Sequence, residues 1–256
     1  MKKKLLIYIL VLIFLFFVGC TNEMEMLEDN STLKAGNERL FMPDSLRDLI
    51  EYDRNSMDQY SIRKLENILE LLYTFPETNK MLNSLKDGLK VKMEITGGSS
   101  SLGEAWYDPI YPPKIGFLRE DCITMENVLH ELLHHYAMYN YVPYRDGVIP
   151  ACEEYEVRVL TDVIMQKYCA NCDFKYQGMS PDEGLFYQPY IDWINNLINT
   201  SSFDKFLFGI EFKKYGTICI MNLQYNDKTT HDILQINDLN YYIPLLLETF
   251  LFNFKR

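Results

Sequence analysis

Thr124-Met125-Glu126-Asn127-Val128-Leu129-His130-Glu131-Leu132-Leu133-His134-His135-Tyr136 is the stretch that decides how this chain folds. Val128, Leu129, Leu132 and Leu133 recur at helical spacing, and Thr124 is a good N-cap, so a helix is predicted from there to about residue 139. On that helix His130 and His134, four residues apart, share a face with Cβ atoms about 5–6 Å apart, and both imidazoles reach one metal ion. Glu131 sits about 100° round from His130, close enough to meet a water at the metal but turned away from ligating it. Three of the four histidines in the chain fall within residues 130–135. Two incidental histidines on a helix surface are the plain alternative, but the concentration and the buried apolar flanks favour a held metal. His135 turns off the metal face.

A zinc site needs a third protein ligand and an open position for water. No histidine at a useful short spacing follows His134. A second helix is predicted at about residues 151–168, and its start carries Glu153, Glu154 and Glu156, with 18 to 21 residues between His134 and these three. An HExxH helix followed by a glutamate on a second helix resembles the gluzincin branch of the zincin metallopeptidases. Glu154-Tyr155-Glu156-Val157-Arg158 is similar to the E-[FY]-x-A-D ligand helix of several zincin families, with Glu154 at the ligand position and Glu156 as the alternative. Val157 and Arg158 depart from that pattern, Arg158 standing where an aspartate often orients a ligating histidine. Asp162, two turns beyond Glu154, takes that second-shell role in this reading.

Upstream the pattern changes period. Ile62, Leu65, Ile68, Leu69 and Leu72 mark a helix that Pro76 ends, and a further helix runs through residues 77–85. Val91, Met93 and Ile95 then alternate with polar residues as in a half-buried strand. Strands are also expected at residues 104–107 and 115–118. The expected fold is therefore α+β: a mainly helical, zincin-like domain with a small antiparallel sheet before the HExxH helix. In zincins an edge strand lies along the cleft, and residues 115–118 are the candidate for it here. After residue 168 the chain reads as mainly helical, with apolar stripes at 190–198 and 242–254.

The first residues are a leader. Three lysines precede an unbroken apolar run over residues 5–18, too short to span a bilayer, where about 20 residues are needed, and well matched to a signal peptide. The run stops at Phe17-Val18-Gly19-Cys20, which resembles the lipobox of bacterial lipoproteins and implies lipidation at Cys20. Residues 1–19 are then a signal peptide, 20–39 a polar, acid-rich tether and 40–256 the metallopeptidase domain. Loss of the leader takes the formal net charge from −11 to −14. So acidic a balance excludes a nucleic-acid role, since phosphate binding needs a basic surface, and leaves membrane attachment to the lipid. Five cysteines remain besides Cys20, an odd count that leaves at least one thiol outside any intrachain bridge. Cys169 and Cys172 form a single C-x-x-C, for which a tight disulfide or two ordinary thiols are the simple readings.

Together these features predict a zinc-dependent peptidase, lipid-anchored to a bacterial membrane, with the outer membrane favoured, acting on a peptide or protein substrate. His130, His134 and Glu154 hold Zn²⁺. Glu131 is the general base that takes the proton of the attacking water and passes it to the leaving amine. Tyr136, Tyr139, Tyr141, Tyr144 and His231 are candidates to steady the oxyanion. The alternative is a binding or scaffold lipoprotein that keeps the zincin fold without turnover.

Overall fold

The computed structural model describes residues 44–85, 88, 90–97, 104–140, 151–169, 174–200, 205–226 and 244–252. The leader, the tether and Cys20 lie outside them. A short helix α1 (Asp44–Arg47) leads into a three-residue strand β1 (Ile50–Tyr52). Helix α2 (Gln59–Thr74) is capped by Asp58, whose carboxylate accepts the Ser61 amide at 2.8 Å and so satisfies a donor that every helix start leaves open. Its predicted stripe of Ile62, Leu65, Ile68, Leu69 and Leu72 is buried. Pro76 does more than end α2: it opens α3 (Pro76–Leu85), because a residue with no N–H suits the first turn of a helix.

The sheet departs from the antiparallel arrangement expected. Its order is β1-β2-β4-β3, with β2 at Val91–Ile95, β3 at Ala105–Asp108 and β4 at Lys114–Phe117. Strands β1 and β4 both run parallel to β2, and only β3 is antiparallel, to β4. The connections explain this. Helices α2 and α3 lie between β1 and β2, a crossover long enough to return the chain in the same direction, whereas β3 reaches β4 through a short hairpin link. Strand β4 is consequently an interior strand, and the free edge beside the hairpin belongs to β3. This corrects the placement of residues 115–118 along a cleft.

Register aligns Tyr52, Met93, Ile115 and Tyr107 in one row across the sheet. Met93 and Ile115 are fully buried and Tyr107 nearly so, which makes this the core face. The neighbouring row, on the opposite face, pairs Glu51, Lys92, Lys114 and Asp108. There the indole of Trp106 covers Gly116, where a Cβ would lie 2.2 Å from the ring.

Helix α4 (Met125–Asn140) starts at Thr124, whose hydroxyl accepts the Asn127 amide at 3.3 Å. Every residue from 128 to 137 is buried, so the HExxH segment runs through the core and is rigid. Helix α5 (Ala151–Tyr168) packs against it. Helices α6 (Tyr187–Asn199) and α7 (Lys205–Asn226) join α5 through a cluster of Tyr155, Tyr190, Trp193, Phe208, Phe212 and Tyr215. Neighbouring rings in this cluster have centroids 4.9–5.9 Å apart, the range of favourable aromatic pairs. A last short helix α8 (Leu245–Leu247) continues into a π-turn at Glu248–Phe252, which seats Phe250 on Tyr136. The described chain is thus mostly helical with a small mixed sheet, an α+β arrangement. Among the described residues no helix is long and apolar enough to cross a membrane. Cys122, Cys152 and Cys219 are buried and form no disulfide, and Cys169 is disulfide-bonded.

Candidate metal centre

Helices α4 and α5 bring three side chains to one point. His134 Nε2 lies 3.0 Å from His130 Nε2 and 3.0 Å from Glu154 Oε2, and His130 Nε2 lies 3.6 Å from Glu154 Oε1. Ligands about 2.0–2.1 Å from a tetrahedral ion stand about 3.3 Å from one another. The His130–His134 and His134–Glu154 separations lie a few tenths of an ångström below that value, and one ligand atom from each of the three residues lies within 4.8 Å of the others.

Hydrogen bonding on the far side of each ring says what the centre must hold. Gln177 Oε1, which can only accept, is 2.7 Å from His130 Nδ1, so that nitrogen carries a proton and donates it. His134 Nδ1 donates to Glu153 Oε1 at 3.3 Å. With both Nδ1 protons committed outward, two neutral rings aim only lone pairs at each other and at Glu154. Such an arrangement is repulsive unless a positive centre sits among them, either a proton on His134 or a metal ion. Burial opposes a charge on His134, but the carboxylates of Glu153 and Glu154 overcome it and raise its pKa to about 10. Glu154, despite its own burial, is held well below the usual carboxylate range by Arg158 and His130. Two imidazoles and a carboxylate at this spacing are a donor set that fits zinc.

Glu131 is 5 % exposed, and burial pushes its carboxyl above the usual range against the opposing pull of His130 and His134. Glu156, the alternative ligand, is fully buried on another face of α5, where Oε1 accepts the Leu247 amide at 2.8 Å. Only Glu154 of the two reaches the histidines, as their separation of about 200° round a regular helix requires.

No family model, curated protein or solved structure matches this chain.

Three further placements differ from the sequence expectation. Glu153, one of the three candidate ligands, takes Nδ1 of His134 while Glu154 faces Nε2, so adjacent residues hold opposite sides of one ring. Asp162 makes no hydrogen bond to His130, His134 or Glu154 among those described. Its carboxylate accepts the amides of Gln177 and Gly178 at 2.7 and 2.9 Å and the Tyr190 hydroxyl at 2.6 Å, so it reaches His130 through the Gln177 loop rather than directly. Arg158, which departs from the zincin ligand-helix pattern, binds Glu154 Oε1 at 2.7 Å and the Gln177 carbonyl at 3.0 Å.

Gln177 and Tyr107 went unseen in the sequence, because no spacing rule ties a loop or a strand to a helix far along the chain. Tyr107 stacks on His134 with ring centroids 6.5 Å apart and its hydroxyl meets His135 Nδ1 at 3.1 Å. His135, off the face that His130 and His134 share, therefore joins α4 to the edge strand. Of the oxyanion candidates, Tyr136 is buried against Phe250 and Tyr139 is 42 % exposed. Tyr141, Tyr144 and His231 lie outside the described residues.

Proposed function

We propose that this chain is a zinc-dependent peptidase of the gluzincin type. The observation that carries the proposal is the convergence of His130, His134 and Glu154 within ligand distance of one another, with Glu131 buried beside His130 on the same helix. A zinc ion held by those three residues supplies Lewis acidity and lowers the pKa of water toward 7. The remaining work belongs to the protein. Glu131 accepts a proton from the attacking water at its carboxylate and returns it to the departing amine, and its raised proton affinity suits both transfers. Arg158 occupies Glu154 Oε1 and leaves Oε2 turned to His134. The edge strand β3, tied to α4 by Tyr107 and His135, supports a zincin-like layout in which an extended peptide lies beside the helix. The Cys20 motif supports lipid anchoring to a bacterial membrane.

Two experiments test this. Glu131→Gln should keep zinc and fold but lower peptide hydrolysis by about 10²–10⁴-fold, and equal activity in the variant would remove Glu131 from the mechanism. Cys20→Ser should move the protein from the membrane to the soluble fraction; continued membrane fractionation would refute the anchor.

A further inference from the structure

We propose that Gln177 is the positioning residue of this centre: its amide oxygen fixes His130 as the tautomer that leaves Nε2 free for the metal, and α5 fixes Gln177 in turn. The inference rests on the metal-site reading above and deepens it.

Gln177 lies in the loop between α5 and α6, without helix or strand of its own, and α5 supplies its anchorage. Its amide donates to Asp162 Oδ1 at 2.7 Å, its carbonyl accepts from Arg158 Nη1 at 3.0 Å, and the next amide, of Gly178, donates to Asp162 Oδ2 at 2.9 Å. The Tyr190 hydroxyl donates to the same Oδ2 at 2.6 Å. Glu154, Arg158 and Asp162 stand at successive four-residue steps, so one stripe of α5 supplies a ligand, the guanidinium that orients it and the carboxylate that clamps the loop. Only glycine fits at 178. A Cβ there would lie 2.1 Å from the Tyr190 oxygen and 3.3 Å from Asp162 Oδ2.

What the clamp delivers is one accepting oxygen, 2.7 Å from His130 Nδ1. An imidazole without such a partner exchanges its proton between the two nitrogens, and each molecule with the proton on Nε2 cannot bind metal there. The two histidines are held by different acceptors. His134 leans on the carboxylate of Glu153, whereas His130 leans on a neutral amide, which sets the tautomer without adding another negative charge to a site that already contains Glu131, Glu153 and Glu154.

The test uses the full chain with Gln177→Leu, which removes the acceptor, Gln177→Glu, which keeps one, Asp162→Asn, and the Asp162→Asn/Gln177→Leu double variant. Nitrogen-15 shifts of His130 in metal-free protein should report the Nδ1–H tautomer in wild type, a mixture in Gln177→Leu, and recovery in Gln177→Glu. Zinc affinity, by chelator competition, should fall about 10–100-fold in Gln177→Leu and return in Gln177→Glu. If Asp162 acts through Gln177, the double variant should bind zinc no more weakly than the worse single one. Wild-type tautomer and affinity in Gln177→Leu would overturn the proposal, and additive losses would overturn the link through Asp162. Should buried Asp162→Asn fail to fold, the two Gln177 variants still decide, because that side chain sits on a partly exposed loop. Absence of zinc binding in wild type would defeat the metal reading itself, and the tautomer would then be the measure of the clamp.

Discussion

Glu153 and Glu154 are neighbours in the chain, yet they meet opposite nitrogens of His134. That division makes the acid cluster separable by substitution. Glu154→Ala leaves two ligands and should weaken zinc binding by orders of magnitude, whereas Glu153→Ala, which removes only the partner of Nδ1, should cost about 10–100-fold. Glu156→Ala should leave zinc affinity unchanged and instead destabilise the fold by about 1–3 kcal/mol, because the buried Leu247 amide loses its acceptor. Chelator competition and urea unfolding separate these effects; loss of zinc in Glu156→Ala with retention in Glu154→Ala would reverse the assignment. The same ring sets a pH dependence. A base whose pKa is raised to about 10 holds its proton at neutral pH, and zinc must displace it. Affinity should therefore strengthen by about tenfold per pH unit between pH 7 and 9, with one proton released per zinc. Calorimetry in buffers of different ionisation enthalpy measures that release, and a pH-independent affinity would contradict it. The i,i+4 histidines and the candidate acids were readable because helical spacing is a local rule. The choice of acid, and the part played by Gln177, required the α4–α5 packing, which no local spacing contains.

Helices α4 and α5 begin and end close to where caps and apolar spacing place them, since both signals are local and strong. The sheet was less legible. Strand β1 has three residues, too few to display alternation, and without it the parallel pairing with β2 has no trace in the chain. The hidden packing at Gly116 is testable. A methyl group there meets the Trp106 ring, so Gly116→Ala should destabilise the domain by about 1–3 kcal/mol. Trp106→Ala in the same chain should remove the clash, and the pair should cost less than the two single changes together. Urea denaturation of the four proteins measures this, and a neutral Gly116→Ala would show that the indole moves aside freely.

The centre depends on pieces distant in sequence: α4, the start of α5, and a loop beyond its end. Both ends of α5 are pinned. Near its start lie the histidines, and at its far end the buried Glu77 carboxylate accepts Lys167 at 2.6 Å and the Tyr168 hydroxyl at 2.5 Å. A ligand that bridges α4 and α5 should therefore stabilise the whole domain, by about 2.7 kcal/mol when free zinc is 100 times its Kd. Thermal unfolding with zinc and after chelation reads that gain, and an unchanged Tm would mean that metal does not join the two helices. Zinc binding at this point underlies every role proposed for these residues. Its most direct test is the metal content of the purified full chain, wild type against His134→Ala, after zinc saturation and desalting, with circular dichroism to verify that both are folded. One zinc per wild-type chain and none on folded His134→Ala is the predicted result; equal zinc on both proteins, or none on wild type, would contradict it.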